Sequence, residues 1–250
     1  MTDETQRPDM RATLVALVER GEEQEAALRA AIPPEERERT GTAEQWAPKE
    51  VIAHLGFWKR TQAERITAEA AGEAPRDLSD FQTVNTESWP DHARLTWDES
   101  VARSQDGAQE LIAAIRALPP EWLAGDEETT RTRVSRLIDT TIGNSTGHVA
   151  VHAGDHFLSH HDVDAARRVN EEALANILSL RLGPSVEAST RYNVGCFYAL
   201  NGYTDEALGE LRQAFALRPD LAEWARQDTD LDSLRAHPAF QALVPPAGDA

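Results

Sequence analysis

Hydrophobic positions in the first 163 residues recur at three- and four-residue steps, which predicts helices. From Met10 to Ile32 the chain carries Leu14, Leu17, Val18, Ala26, Ala27 and Ala30 at such steps, and Pro33-Pro34 cannot continue a helix. A polar, breaker-rich connector follows over 33–45. The second helix starts near Pro48, a residue favoured in a first turn, and runs to about Ala71, with Gly72 as its stop. Val51, His54, Leu55 and Trp58 share one face of it, so a histidine stands in the stripe that should bury. Residues 73–95 contain Pro75 and Pro90 and show no clear period; they read as a long connection, either a lid or a crossover between distant helix ends. Trp97 to Leu118 is the third helix, begun by Asp98 or its polar neighbours, weakened in the middle by Gly107 and ended by Pro119-Pro120. A loop over 119–132 leads to the fourth.

That fourth helix organises the chain. Residues 142–161 hold five of the eight histidines and read as one helix bearing a polar seam. At about 100° per residue, Thr141, His148, His152, Asp155 and Ser159 fall in a narrow arc, while Val149, Val151, Ala153, Phe157 and Leu158 cover most of the rest. Either the seam faces water, or the helix is buried and the seam lines a polar cavity. His148 and His152, four residues apart, project two imidazoles from adjacent turns, close enough to share one divalent ion. His152 and His156 repeat the spacing, so geometry alone does not choose the pair, and either pair needs a third ligand from elsewhere. Four helices with one long middle connection make a four-helix bundle with a crossover, and bundle cores are where facing helices build metal sites. His54 is then either a core histidine with one satisfied hydrogen bond or the third ligand.

Beyond about residue 163 the seam ends and short amphipathic helices follow. The segments 186–202 and 204–220 resemble one complete tetratricopeptide repeat: Val194, Gly195, Tyr198, Gly202, Ala207, Leu211, Ala214 and Pro219 fall where that repeat prescribes them. Arg191 stands where the repeat usually has a large aromatic residue. Residues 171–184 resemble the second helix of an incomplete earlier repeat, and 221–243 resemble a capping tail. One repeat cannot bury its own faces, so these helices pack on each other, on the bundle or on a partner. Two units follow, 1–163 and 164–250.

With 250 residues, 40% hydrophobic and 27% charged, the chain has the composition of a globular protein with room for two domains. A formal charge of -18 argues against nucleic acid and anionic membrane surfaces as partners. There is no apolar run of 18 residues, and the first eleven residues lack the order of a secretory signal, so a cytoplasmic location is expected. The single cysteine, Cys196, cannot form an intramolecular disulfide and, beside Val194, Phe197 and Tyr198, reads as buried. No phosphate-binding glycine loop and no nucleophile-histidine-acid order is present.

Trp46 followed by residues 48–58, PKEVIAHLGFW, looks like a signature of DinB-like four-helix bundle proteins, and residues 142–152, IGNSTGHVAVH, resemble their helix-four motif, in particular that of the ClbS/DfsB branch. The resemblance covers roughly residues 8 to 165. It implies an all-α fold, a DinB-like bundle with a long crossover followed by the short repeat-like domain, and often a divalent metal (zinc, nickel or similar) held by three histidines. Carried over by position these are His54, His148 and His152, with His156 just beyond the motif. The family includes thiol-dependent transferases and isomerases, and the branch includes a cyclopropane hydrolase that detoxifies a genotoxin. The expectation is a metal-dependent enzyme acting on a small electrophilic or thiol-linked molecule in detoxification or stress, by thiol transfer or hydrolysis, with a low-molecular-weight thiol as co-substrate in the first case. Asp155, three residues after His152, is then either a general base or an acceptor that orients that histidine. The repeat segment would dock a protein partner or a second copy as a homodimer. The rival expectation is a non-catalytic stress or scaffolding protein whose bundle supports the repeats.

Overall fold

Side-chain caps start three helices of the first unit in this computed structural model, which describes residues 9–124 and 127–244. The stretch read for a secretory signal lies largely outside the described residues. Asp9 accepts from the N–H groups of Arg11 and Ala12 and starts α1, Met10–Ala31. α2, Pro48–Ala70, has proline in its first turn, and the buried Glu50 carboxylate accepts from the backbone N–H groups of Gly41 and Ala47, which ties the connector to the helix start. Gly72, at φ +76°, lets the chain turn away beyond it. α3, Phe81–Ala93, is capped by Asp80, and α4, Trp97–Ala117, by a reciprocal Thr96–Glu99 capping box. A single turn, α5 (Pro120–Leu123), precedes α6 (Glu128–Gly143) and α7 (Thr146–Ser159).

The described residues are helical and contain no strand. None of their helices is long and apolar enough to cross a membrane. The chain divides into two compact units between His156 and Phe157, near the end of α7, whereas the sequence places the boundary after residue 163.

Three elements of the first unit differ from the sequence reading. The connection over 73–95 contains α3, of whose residues only His92 is buried, so no apolar stripe betrays the helix. The single helix expected over 142–161 is broken: α6 ends at Gly143, Asn144 leaves helical geometry at φ -111°, ψ 7°, the Ser145 N–H closes back on the Ile142 carbonyl at 3.3 Å, and α7 restarts at Thr146. Thr141 therefore belongs to α6. In α1 the buried stripe runs Leu14, Leu17, Val18, Gly21, Gln24, Glu25 and Leu28, leaving Ala26, Ala27 and Ala30 exposed. A stripe at steps of three and four from Leu14 reaches Gln24 and Glu25, and the alanines fall off it.

Glycines set the helix crossings. A Cβ added at Gly21 would lie 2.9 Å from the Thr146 backbone nitrogen, and the Thr146 hydroxyl donates to the Leu17 carbonyl at 2.7 Å, so α1 pins the start of α7. Gly56 on α2 and Gly107 on α4 meet backbone to backbone: an added Cβ would lie 2.7 Å from the Arg103 carbonyl oxygen in one case and 2.6 Å from the Gly56 carbonyl oxygen in the other. Beside this crossing Lys59 is fully buried. Its ammonium donates to Glu25 at 2.6 Å, to Ser104 at 3.0 Å and to Glu22, while Ser104 donates to the same Glu25 oxygen and Arg29 pairs with the other at 2.5 Å.

The second unit comprises α8 (Val163–Ser179), α9 (Pro184–Leu200), α10 (Thr204–Leu217), α11 (Leu221–Ala225), a 3₁₀ turn over Thr229–Leu234 and α12 (Pro238–Leu243). α9 and α10 form a hairpin turned at Gly202, φ +80°, with Gly195 against Leu211 and with Ala207, Leu211 and Ala214 fully buried. Arg191 joins the two helices through Glu210 at 2.8 Å. Tyr192, Tyr198, Phe215, Leu231, Leu234 and Phe240 complete a separate core.

Three substitutions test this packing. Gly107→Ala should destabilise by about 1–3 kcal/mol although alanine favours helix by about 1 kcal/mol, because the opposing atoms are backbone. Gly143→Ala, with nothing within 4 Å, should change stability by less than about 0.5 kcal/mol; equal thermal shifts in the two variants would contradict the crossing. Lys59→Met takes the ammonium from Glu22 and from one oxygen of the buried Glu25 and should cost about 3–5 kcal/mol in chemical denaturation. A neutral result would mean that the network contributes nothing to the bundle.

Candidate metal centre

His54 lies on the second turn of α2, whose start is fixed by Pro48, Glu50 and the Lys49 ammonium, the last donating to the carbonyls of Ala93 and Leu95 at 3.2 and 2.9 Å. Two residues later Gly56 holds α2 against α4. His148 and His152 lie on successive turns of α7, positioned by the Thr146–Leu17 bond. These constraints bring three imidazoles together. The Nε2 of His148 lies 3.1 Å from the Nε2 of His54 and 3.1 Å from the Nε2 of His152. The three ring centroids are separated by 4.8, 4.8 and 5.1 Å. The structure thus joins the helix-two histidine to the His148–His152 pair; His156 is not a member of the group.

A neutral imidazole nitrogen carries either one hydrogen or one lone pair. His148 Nε2 has a single in-plane hydrogen or lone pair, which can be aligned well with only one of its two neighbours. A cation accepting all three lone pairs removes the conflict. Two nitrogens at about 2.0–2.1 Å from a tetrahedral zinc lie about 3.3 Å apart, close to the separations observed, so the donor set fits a divalent ion with a three-histidine shell. With Nε2 as ligand, the hydrogen sits on Nδ1. The Nδ1 atoms of His54 and His148 are buried without a hydrogen-bond partner, so these rings are oriented by packing rather than by an acceptor.

That packing is aromatic. Trp46 stands edge-on to His54 at 4.7 Å, anchored by its indole N–H on the Ala43 carbonyl, and Trp58 lies 6.3 Å from His54. His92 from α3 completes the wall, 6.2 Å from His54, 5.7 Å from Trp46 and 5.8 Å from Phe57. Burial, then the neighbouring His148, His152 and His92, holds the His54 imidazole far below the usual histidine range. Burial lowers His148 to about 3, aided by His152 and by the Lys59 ammonium, and lowers His152 to about 4. All three are neutral near pH 7 and ready to coordinate without shedding a proton.

Asp155 is not part of this convergence. Its residue is exposed and it makes no hydrogen bond to any of the three imidazoles; partial burial of the carboxyl itself raises its pKa. Ser159 is also exposed. The sequence gives no signal for His92, Lys59 or Glu25: the first lies in an aperiodic stretch, and the others are charged residues of types that normally stay on the surface.

The depressed values fix a pH dependence for the metal-free protein. Between a folded value near 3–4 and an unfolded value near 6.5 the unfolded chain binds more protons, so stability is full above about pH 6.5 and falls on acidification through that window. Denaturant midpoints should decline between about pH 6.5 and 4, with a slope of up to about 1.4 kcal/mol per pH unit for each histidine, and the decline should shrink in His148→Gln/His152→Gln. An unchanged slope in that variant would show that other groups carry it.

No curated protein and no solved structure matches the chain. The sequence profile of the DinB superfamily matches residues 8–159, which spans α1 to α7 and contains all three histidines of the centre. By that match, over more than half its length, and by its all-α bundle with a buried histidine triad of the kind typical of a metal-binding family, the chain belongs to the DinB superfamily.

Proposed function

We propose that the first unit is a metal-dependent enzyme acting on a small electrophilic or thiol-linked molecule, of the detoxification or stress type, in a cytoplasmic setting. The observation that carries this reading is the convergence of three neutral imidazole nitrogens from two helices, which leaves a four-coordinate ion one position for substrate or water. A zinc-like or nickel-like ion there supplies a Lewis acid to an electrophile or binds a thiol in its anionic form. His54, His148 and His152 would hold the ion without a carboxylate ligand, so it would keep its full charge. The aromatic wall of Trp46, Phe57 and Trp58 excludes water from one side of the His54 imidazole.

Thiol transfer is favoured over hydrolysis. Cys196 cannot supply the thiol: it lies in the second unit, is buried, sits 3.7 Å from Asp228, and burial with that carboxylate pushes its pKa up, away from thiolate. The thiol therefore comes from a low-molecular-weight molecule. Hydrolysis would require a base. Asp155 is the nearest acidic residue in the sequence after His152, and its raised carboxyl suits proton transfer, but its exposed position without a bond to the imidazoles supports the role weakly. The second unit supports a docking role through its α9–α10 hairpin, where Gly195, Gly202, Ala207 and Leu211 act as a tetratricopeptide hairpin requires. A protein partner or a second copy is the proposed occupant.

The test incubates zinc- or nickel-loaded protein with model electrophiles, with and without cellular thiols, and follows products by mass spectrometry. Thiol adducts formed with wild type and reduced at least about 100-fold in His54→Ala and His148→Ala are expected. Turnover independent of thiol and lost in Asp155→Asn would replace transfer by hydrolysis. No turnover with any electrophile would favour the scaffolding role.

A further inference from the structure

The face that α3 turns towards α2 carries Asn85, Trp89 and His92 at helical spacing. Asn85 is used there, accepting from the Trp58 indole N–H at 3.0 Å. The other two present donors with no acceptor: Trp89 Nε1 and His92 Nε2 are buried and unpartnered, and His92 as a residue is 1% exposed. The His92 tautomer follows from its other nitrogen. His92 Nδ1 lies 3.3 Å from the Arg103 Nη1, and a guanidinium can only donate, so Nδ1 accepts and the ring hydrogen sits on Nε2. Protonating the ring as well would set two cationic donors against each other.

Arg103 adds the charge. It is half-buried at the α2–α4 crossing and, among the described residues, pairs with no carboxylate; Arg60 beside it is engaged by Glu110 at 2.8 Å. Asp91, the nearest acid on α3, is exposed and bonded to Arg94 at 3.1 Å. A buried N–H with no acceptor costs about 1–3 kcal/mol. A buried donor polarised by a guanidinium that has no carboxylate in ion-pair contact is complementary to an anionic oxygen.

We propose that His92 Nε2–H, backed by Arg103, binds a carboxylate oxygen of the substrate beside the histidine triad. With its ring 6.2 Å from that of His54, this subsite would hold the carboxylate while the reacting carbon meets the open position of the metal, so the preferred substrates are small electrophiles that carry a carboxylate. That orientation rests on the metal-centre reading; the anion subsite itself does not.

The probe is acetate, with acetamide as its neutral counterpart, titrated into zinc-loaded and metal-free protein while the histidine side-chain nitrogens are followed by 15N NMR. Wild-type protein should show His92 protonated on Nε2 and a saturable acetate-dependent shift of that signal, with acetate bound at least tenfold more tightly than acetamide. His92→Phe and Arg103→Gln should each weaken acetate at least tenfold while zinc stoichiometry stays unchanged. Equal acetate affinity in wild type and both variants would mean that the anion meets only the ion and would overturn the subsite, as would a hydrogen on Nδ1 or no saturable binding. Should zinc fail to bind wild type, the metal-centre reading falls by itself, and the metal-free titration still decides the subsite: a saturable shift abolished in His92→Phe supports it, and its absence overturns it.

Discussion

Three imidazole nitrogens held at hydrogen-bonding separation inside a helical core cannot all satisfy one another. Both 3.1 Å contacts meet at the same His148 nitrogen, whose single in-plane hydrogen or lone pair cannot be aligned with two neighbours at once. Burial removes the remedy of protonation by holding the rings neutral, and the surrounding side chains of Trp46, Phe57 and Trp58 offer no acceptor there. The bundle thus bears a local electrostatic conflict that a cation resolves. Stability and chemistry are linked at this point, because an ion that binds only the folded arrangement adds its binding energy to folding.

The conflict persists because the helices cannot slide apart cheaply. Gly56 and Gly107 let α2 and α4 meet backbone to backbone, and Gly21 lets α1 reach the start of α7, where Thr146 closes on Leu17. Next to the crossing, the buried Lys59 with Glu22, Glu25 and Ser104 adds directional contacts that fix register where apolar packing would tolerate shifts. The Lys59 charge also reaches His148 and helps keep it neutral. Small residues and one charged network, none of them a ligand, therefore decide the geometry of the site.

The fold was legible where apolar spacing and breakers agree. Pro48 and Gly72 bound α2, and Pro119-Pro120 follows α4, as the sequence indicates. The histidine triad was legible through His148 and His152 at one-turn spacing, with His54 supplied by likeness to a family motif rather than by spacing. What escaped has a common cause: the signal was not hydrophobic. α3 buries a single histidine, the second half of α1 buries Gln24 and Glu25 in place of its alanines, and the break at Asn144 depends on local hydrogen bonds. Gly107 read as a weak point in a helix, whereas its missing side chain is what admits the neighbouring backbone.

The central claim is that His54, His148 and His152 hold one ion. X-ray absorption at the metal edge of protein purified without a histidine tag, combined with the metal-to-protein ratio, tests it most directly. One ion per chain is expected, with a first shell of three imidazole nitrogens at about 2.0–2.1 Å and one oxygen ligand, and loss of that shell in His54→Ala. A protein free of metal after equilibration with zinc or nickel, or a shell unchanged in the variant lacking all three histidines, would contradict it.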